Sequence, residues 1–365
     1  MGQKICEENE TKVTEFRLSG FHTVYGYRTV FFVVMLVIYI VIMVGNLLII
    51  FLVSIIDHLQ VPMFFFLKHL AMADVLLTTT VMPIMLDMIL RHGRVISVIG
   101  CFIQMSLYGI FVSVQCFLLA VMSYDRYLAI CSPLHYASVM NPNRCLQLVS
   151  GSWSLVVSTA LSELVSISQF ELCGLNIIDN FVCDLFSVVE LSSSDTSTVL
   201  MEDFVFSIFI LVCPLTFIII TYICILITIM KITSTSGRKK AFSTCSSHLT
   251  TVCTYYGTLI TVCIIPSKKS SSNVNMYLSL LYIVLSPLIN PFIYSLRNRE
   301  FERALKKILK RIQVAKEEGM SELTVLAKCF NRFGGRLLSQ LPSNSVPLQV
   351  PEKAGSSPGK LGEVF

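Results

Sequence analysis

The sequence predicts an all-α membrane protein: a seven-transmembrane helix bundle followed by a short cytoplasmic amphipathic helix. Hydrophobic residues make up 54% of the 365 residues and charged residues only 14%, a balance that excludes a soluble protein of this length. Seven segments each contain the roughly 20 mostly apolar residues that a helix needs to cross a bilayer. Their apolar residues run on without a period of two, which predicts helices and not the strands of a membrane barrel.

The predicted spans follow one another along most of the chain. They are residues 29–56, 61–87, 97–122, 144–162, 204–230, 241–265 and 274–296. The second span is less uniform because it contains Lys68 and Asp74, and Lys68 lies close enough to the inner end for its ammonium group to reach the headgroups. Pro214, Pro287 and Pro291 remove backbone hydrogen bonds from the fifth and seventh spans, which allows those helices to bend.

The distribution of charge predicts how the bundle is oriented. No Lys or Arg occurs between Arg144 and Lys231, whereas residues 238–240 and 297–311 carry clusters of basic residues. Basic residues that flank membrane spans stay on the cytoplasmic side, so the acidic region between Arg144 and Lys231 is predicted to be extracellular. Its eight acids are Glu163, Glu171, Asp179, Asp184, Glu190, Asp195, Glu202 and Asp203. They either favour cationic ligands such as amines or form a solvated loop that helps to set the topology.

Four regions follow from this topology. Residues 1–28 form an extracellular N-terminus, in which Asn9 begins an N-x-S/T sequon and is predicted to be glycosylated. Residues 29–298 form the seven-transmembrane domain. Residues 299–313 alternate apolar and basic side chains at helical spacing, which predicts a juxtamembrane amphipathic helix on the anionic lipid of the inner leaflet. Residues 314–365 are rich in Gly, Ser and Pro, and we expect a disordered cytoplasmic tail.

The sequence contains no pattern that is typical of an enzyme or of a cofactor site. Its thirteen cysteines include no C-x-x-C pair, so neither a zinc site nor a thioredoxin-like centre is predicted. No nucleophile–base pair or phosphate-binding loop is recognisable, and the seventh span has no Lys that could hold retinal as a Schiff base. We therefore expect a protein that is not an enzyme and has no metal, no cofactor and no nucleic acid partner.

One string of residues carries an ionisable pair at the edge of the predicted membrane. Residues 122–136 read MSYDRYLAICSPLHY, in which Asp125 and Arg126 come just after the charge-free run of residues 95–122. Charges at the edge of a hydrocarbon layer are costly, so such a pair marks a functional position. Pro133 has no backbone N–H and is predicted to end the helix and turn the chain.

This string resembles the rhodopsin-like G-protein-coupled receptors, and its AIC and PLHY segments resemble their olfactory receptor branch. Further similar segments occur in order between residues 16 and 313: Gly45-Asn46, PMFFFLKHLAMAD at 62–74, Trp153, Pro214 with Tyr222, KAFSTCSSHL at 240–249 and PLINPFIYSLRN at 287–298. The resemblance implies an odorant receptor of the plasma membrane whose partner is a heterotrimeric G protein of the stimulatory kind, which raises cyclic AMP.

The rival interpretations are a non-olfactory chemosensory receptor, a poorly functional receptor and a membrane transporter. A pair of Gly- or Pro-broken spans at corresponding positions in the two halves would favour a transporter, and no such pair occurs.

By the same resemblance, the inner end of the bundle couples to the G protein. The residues implied are Asp125, Arg126, Tyr127, Tyr222, His248, Asn290, Pro291 and Tyr294. Many related receptors have an acid at the inner end of the sixth span, but this chain has basic residues at 238–240, which repel Arg126. We therefore expect Asp125 to compensate Arg126, with hydrogen bonds from residues such as His248 in place of an ionic lock across the bundle.

The resemblance also implies an odorant pocket between the outer halves of the third, fifth, sixth and seventh spans. Its predicted lining is Tyr108, Val112, Ser113, Phe206, Tyr256, Leu259, Ile260, Cys263 and Leu280. Most of these residues are apolar and a few carry hydroxyl groups, as is usual for small-molecule sites, although packing between helices explains each of them equally well. A small volatile ligand gains at best about 1.5 kcal/mol per heavy atom, so we expect modest affinity.

Asn46, Asp74 and Asn290 are polar residues in three different predicted spans. Buried polar groups in a membrane need partners, so we expect these three to meet in one hydrogen-bonded cluster. The cluster either forms a sodium or water site that rearranges on activation or simply joins the helices. Gln115 stands where olfactory receptors usually have Glu, which predicts weaker cation binding.

Two disulfides concern the loop between the fourth and fifth spans, which we call the second extracellular loop. The resemblance implies one between Cys101 and Cys183, and an extracellular location favours it. Olfactory receptors often carry a second bridge within the loop, between the positions that hold Cys173 and Ser193 here. Because Ser193 replaces a cysteine, Cys173 is either free or paired elsewhere, and a looser loop is expected.

Overall fold

The structure is a computed structural model, and it describes residues 13–21, 26–174, 176–264 and 272–297, together with residues 301, 303 and 306. The sequon at Asn9, most of the predicted amphipathic helix and the whole predicted tail lie outside these residues. So does the side chain of Cys263. What the sequence predicts at those positions therefore stays a prediction.

Long helices occupy all seven predicted spans. In chain order the helices are α1 Arg28–Ile55, α2 Pro62–Arg91, α3 Val98–Cys131, α4 Pro133–Val139, α5 Pro142–Ile167, α6 Leu185–Leu191, α7 Ser197–Ser207, α8 Cys213–Lys231, α9 Thr235–Ile264 and α10 Ser272–Arg297. Of these, α4 and α6 are short and lie in connections, while α7 and α8 together form the fifth span. The helix α3 continues past the predicted end at Met122, so Asp125 and Arg126 lie within it.

Six helical segments within the described residues are long and apolar enough to cross a membrane, with α7 and α8 taken as one. The remaining long helix, α9, is more polar because Arg238 and Lys239 lie near its start and many Ser and Thr residues follow. It packs against α10, α3 and α8, and therefore completes a seven-helix bundle.

The helix ends coincide with residues that cap or stop helices. At the start of α3, Ser97 Oγ accepts a hydrogen bond from the Gly100 N–H at 3.1 Å, which satisfies one of the free donors of the first turn. Proline begins α2, α4 and α5, where its missing N–H has no intrahelical partner to lose. His92 ends α2 in the left-handed conformation, with a φ of 59°. Local sequence thus explains where these helices begin and end.

The fifth span is not a continuous α-helix. The helix α7 passes into a π-helical turn at Ile208–Val212, and Pro214 lies in the first turn of α8 directly after it. Pro214 has no N–H to donate to the carbonyl four residues earlier, so the hydrogen bonding widens locally to the π pattern. The predicted irregularity at Pro214 therefore takes the form of a π-helical turn.

The helix α3 lies at the centre of the bundle, because it packs against α2, α5, α8 and α9. The helices α1 and α8 are more peripheral, and each exposes a row of large apolar side chains. On these two helices the rows include Val30, Val33, Val37, Val44, Ile219, Ile220, Ile223 and Ile227. So much exposed apolar surface is unfavourable in water and is the surface expected to contact lipid.

A small three-stranded sheet adds to the predicted all-α architecture. The strand β1 Glu15–Leu18 pairs antiparallel with β2 Arg94–Ser97 and parallel with β3 Ile177–Ile178. Burial alternates along β1, with Phe16 and Leu18 inside, as in a strand with one packed face. We call these three strands the N-terminal sheet. Because β2 leads directly into α3, the sheet lies at the end of the bundle where α3 begins.

Candidate functional site

Asp125 and Arg126 lie near the C-terminal end of α3, and both side chains are buried. Arg126 Nε donates a hydrogen bond to Asp125 Oδ2 at 2.8 Å, and Arg126 Nη2 bonds the same oxygen. Arg126 is only 9% exposed and Asp125 is fully buried. Because a buried charge is costly unless it is paired, the carboxylate of Asp125 compensates the guanidinium of Arg126 in the way the sequence led us to expect.

Tyr136 on the short helix α4 completes this cluster. Its hydroxyl donates a hydrogen bond to Asp125 Oδ1 at 2.8 Å, so that each carboxylate oxygen of Asp125 has its own partner. Burial and the neighbouring carboxylate of Asp125 raise the pKa of the Tyr136 phenol above its usual range, which keeps the hydroxyl protonated as a donor. The chain reaches this position because Pro133 starts α4 directly after α3 ends. We call Asp125, Arg126 and Tyr136 the inner cluster.

A second contact joins α8 to α9. The hydroxyl of Tyr222 lies 2.7 Å from His248 Nδ1, and the two rings stack with 5.8 Å between their centroids. Both residues are buried. His248 on α9 therefore forms its hydrogen bond with Tyr222 of the fifth span, and Arg126 is held separately within the inner cluster.

The other implied coupling residues lie on α3 and α10. Tyr127 is half-buried against the core, and Tyr294 is fully buried. Pro291 packs closely on α1: a Cβ placed on Gly45 would lie 2.9 Å from the Cβ of Pro291. Glycine at position 45 therefore allows α1 to approach α10, which explains one of the sequence markers in the first span.

The predicted polar core joins three helices but does not form a single direct cluster. Asn290 Nδ2 donates to Asp74 Oδ2 at 2.8 Å, whereas Asn46 Nδ2 donates to the Pro287 carbonyl at 3.0 Å. Gln115 is fully buried, and neither polar atom of its amide has a hydrogen-bond partner among the described residues. The geometry therefore supports a role in joining α1, α2 and α10. Within the described residues, no three His, Cys, Asp or Glu side chains gather as metal ligands.

The predicted ligand-lining residues are distributed over four helices. Tyr256 on α9 and Leu280 on α10 are buried; half-buried are Tyr108, Val112, Ser113, Phe206, Leu259 and Ile260. Three of these helices are tied together just beside Val112. The Tyr255 hydroxyl donates to the Val112 carbonyl at 2.6 Å and accepts from the Tyr282 hydroxyl at 3.1 Å. These two tyrosines connect α9 and α10 to α3.

Phe206 has different surroundings from the other predicted lining residues. It borders an open cavity of about 480 Å³ that is lined along α7 by Ser197, Thr198, Met201, Glu202, Val205 and Phe206. All of these residues belong to α7, so this cavity is not the predicted pocket between four spans.

The predicted disulfide between Cys101 and Cys183 is confirmed, with 5.5 Å between the Cα atoms. The backbone N–H of Cys183 also donates to Gln104 Oε1 at 3.2 Å, which fixes the loop further against α3. Cys173 is disulfide-bonded as well, so of the two alternatives left open by the sequence, a free thiol is wrong. The loop is also pinned near Ser193, whose N–H donates to the Glu171 carbonyl at 2.9 Å.

Residues 13–21, which we call the N-terminal segment, are packed against the same end of the bundle as the disulfide of Cys101 and Cys183. Phe21 follows β1 with a φ of 59°, a conformation that is strained for a bulky residue and persists only when packing holds it. Its ring contacts Phe31, Phe181 and Tyr277, with centroids 5.1, 5.5 and 6.0 Å away. The segment therefore contacts α1, the loop of Cys183 and α10 together.

Comparison with known proteins identifies the family. The olfactory receptor family model matches residues 35–312. Olfactory receptor 11L1 of Homo sapiens is 40% identical over 304 residues, which cover 83% of this chain and 94% of the relative. Olfactory receptor 5P55 of Mus musculus is 44% identical over 307 residues, 84% of this chain and 98% of the relative. The chain belongs to the olfactory receptor family. The predicted family and the predicted seven-helix membrane bundle are thus confirmed, and the amphipathic helix stays a prediction.

Olfactory receptors are G-protein-coupled receptors, not enzymes, and the apolar helices of this olfactory receptor fit a multi-pass protein of the plasma membrane. The sequence did not point to three of the site residues that the structure shows. Tyr136 lies within the quoted PLHY segment, which was the one available signal. Tyr255 and Tyr282 gave none, because a tyrosine in an apolar helix shows its partner only once the helices are packed.

Proposed function

We propose that this olfactory receptor binds a small, mostly apolar odorant in the outer half of its helix bundle and activates a heterotrimeric G protein at the inner end. The G protein is of the stimulatory kind, so that binding raises cyclic AMP. The protein lies in the plasma membrane with its N-terminus extracellular and its C-terminus cytoplasmic. The observation that carries this proposal is the continuity of α3, which holds the disulfide at one end and the inner cluster at the other.

The length of α3 supports a connection across the whole membrane. At 1.5 Å per residue its 34 residues extend over about 51 Å, more than the roughly 30 Å of the hydrocarbon core. Tyr108, Val112 and Ser113 lie on the same helix between Cys101 and the inner cluster. A ligand that contacts these three residues therefore acts on the helix that also carries Arg126.

The outer half is suited to an uncharged ligand. The candidate residues on α3, α9 and α10 present mainly apolar groups, and the hydroxyls of Tyr108, Ser113 and Tyr256 are the polar groups among them that orient a molecule. A charged ligand would need a compensating charge in this set, and the set contains none. An alcohol, ester or ketone of modest size fits this chemistry better than an amine.

The inner end is suited to a switch between two states. In the arrangement seen here Arg126 is held by Asp125, and Asp125 in turn by Tyr136. Contact with a G protein requires the guanidinium to be released toward the cytoplasm. An odorant that binds the released state more tightly shifts the population toward it, and the Tyr255 contact with the Val112 carbonyl supplies a link from α9 to α3 for that change.

The test is an odorant panel applied to cells that express the receptor with a cyclic AMP reporter. Arg126→Ala should lower the response at least about tenfold, because it removes the guanidinium that is proposed to contact the G protein and leaves the carboxylate of Asp125 buried without its charge partner. Arg144→Ala is the matched control, because Arg144 is an exposed arginine at the start of α5 and its loss should leave the response intact. Surface levels are measured for both variants by staining.

Three outcomes would overturn the proposal in different ways. A full response from Arg126→Ala at a normal surface level removes the proposed role of Arg126. A silent wild-type receptor at the cell surface across a broad panel favours a non-olfactory ligand. Solute flux into proteoliposomes without any G protein indicates a transporter.

A further inference from the structure

Cys173 takes part in a disulfide although Ser193 cannot provide the partner. The cysteine lies in the loop between α5 and β3 and is disulfide-bonded. Cys101 and Cys183 are joined to each other. The identity of the partner therefore has to come from the remaining cysteines of the chain.

Elimination leaves three candidates. Of the thirteen cysteines, seven in the described part of the chain form no disulfide: Cys116, Cys131, Cys145, Cys213, Cys224, Cys245 and Cys253. Those not yet accounted for are Cys6, Cys263 and Cys329. The bond to Cys173 must go to one of these three or to another molecule.

The N-terminal segment is the part of the chain that runs beside Cys173. The Val13 N–H donates to the carbonyl of Leu172, the residue before Cys173, at 3.0 Å. On the other side of Cys173, the Arg17 N–H donates to the Asn176 carbonyl at 2.7 Å, and Asn176 Nδ2 donates to the Glu15 carbonyl at 3.1 Å. Hydrogen bonds from the N-terminal segment thus flank Cys173 on both sides.

Cys6 precedes Val13 by only a short stretch of chain. Seven residues reach at most about 25 Å when extended, and a tether of that length holds the two thiols at an effective concentration in the millimolar range. Cys329 lies in the tail, which the proposed topology puts on the opposite side of the membrane. Cys263 lies at the end of α9, a helix that packs against α3, α8 and α10.

We propose that Cys6 and Cys173 form a disulfide that fastens the N-terminal segment to the second extracellular loop. The proposal rests on the extracellular N-terminus of the proposed function. In the bond-forming step the two thiols lose two protons and two electrons and become one S–S bond. A disulfide donor of the secretory pathway, exchanging through a mixed disulfide, is reduced to two thiols in return.

The bond holds the N-terminal sheet covalently over the end of the bundle where the ligand enters. The strand β1 is then attached through its hydrogen bonds to β2 and β3, through the aromatic contacts of Phe21 and through Cys6. The bridge also compensates for Ser193, because it restrains the loop at the same cysteine that an internal bridge would use. This receptor thus has an N-terminus that is a fixed part of the extracellular surface.

The direct test is disulfide mapping of the wild-type receptor, purified with free thiols blocked and digested without reduction. A cross-linked pair of peptides containing Cys6 and Cys173, which separates on reduction, is the expected result. A pair that joins Cys173 to Cys263 or to Cys329 overturns the proposal, and so does an intermolecular bond from Cys173. Because the test uses the wild-type chain, it does not depend on the folding of a variant.

Variants on intact cells supply an independent readout. Cys6→Ser should expose one new thiol, that of Cys173, to a membrane-impermeant maleimide, whereas the matched control Cys263→Ser should expose none. If Cys6→Ser fails to reach the surface, adding Ser193→Cys should restore surface expression by giving Cys173 an internal partner. A Cys6→Ser receptor that reaches the surface and shows no new thiol contradicts the bridge.

The orientation is checked separately with an epitope at the N-terminus. If the epitope is not stained on intact cells, the topology of the proposed function fails, and the disulfide fails with it. If the epitope is stained but Cys6 and Cys173 are not linked, only the disulfide is wrong.

Discussion

Asp125 holds two partners at once, and this shapes what the inner end of the receptor can do. Arg126 bonds one oxygen of its carboxylate and Tyr136 bonds the other. The first contact is between neighbours in sequence, whereas the second crosses the turn at Pro133. Because Tyr136 stays protonated, it donates to Asp125 throughout the physiological pH range. Release of Arg126 therefore depends on a tyrosine that lies on the connecting helix α4.

Tyr136→Phe should raise signalling in the absence of odorant about fivefold. The variant removes the hydrogen bond that the half-buried Tyr136 donates to the carboxylate of Asp125. We expect this hydrogen bond to be worth about 1 kcal/mol. With Asp125 less firmly held, the released state of Arg126 becomes more populated. Basal cyclic AMP at matched surface levels measures the effect. Tyr27→Phe is the control, because Tyr27 is 76% exposed; unchanged basal signalling in Tyr136→Phe would disprove the role.

Exchange of Asp74 and Asn290 tests whether their contact matters as a pair. Asn290→Asp alone puts two carboxylates within hydrogen-bond distance in a buried site, which is unfavourable for both. We expect it to lower surface expression or signalling at least about tenfold. The double variant Asp74→Asn with Asn290→Asp restores one donor and one acceptor and should recover most of the loss. Failure of the double variant to recover either property would show that Asp74 acts through something other than Asn290.

The elements show a similar division between local and distant causes. The long helices follow from runs of apolar residues, and the starts of several follow from Pro in the first turn or from Ser97 at the cap. The strand β1 is different, because four residues do not form a stable strand alone. It exists because β2 and β3 lie on either side of it, and because Phe16 and Leu18 find a packed surface beneath them.

Arg17→Pro should disrupt the N-terminal sheet while Arg17→Ala should not. Proline removes the N–H that donates to the Asn176 carbonyl at 2.7 Å, and a central strand does not tolerate that loss. We expect the melting temperature of the purified receptor to fall by about 2–6 °C. Thermal unfolding in detergent measures the change. Equal melting temperatures for the two variants would mean that β1 does not stabilise the bundle.

At the scale of the whole molecule, every residue that we propose to act in ligand binding or coupling lies before residue 314. The family model ends at residue 312, and the inner cluster and the α8–α9 contact all lie earlier in the chain. We therefore assign residues 314–365 no part in ligand binding or coupling. A stop codon after Gln313 should leave odorant responses within about twofold of those of the full chain. Dose–response curves at matched surface levels provide the measurement. A loss of response that persists at equal surface level would assign the tail a function.

Hydropathy and charge by themselves determined the seven spans and their predicted orientation, and they marked Asp125 beside Arg126 as a costly pair. The motifs indicated the family, and the resemblance to that family implied the pair of Cys101 and Cys183. These features are readable because they depend on runs of similar residues, on adjacent residues or on a recognised motif.

Only the tertiary structure decided which distant side chains meet. It brought Tyr136 to Asp125, and it turned Asn46 toward the backbone of α10 instead of toward Asp74. It also placed Tyr255 between Val112 and Tyr282, and the N-terminal segment beside Cys173. The physical reason is that composition sets how apolar a helix is, whereas the rotation and crossing of packed helices set which polar atoms come within hydrogen-bond distance.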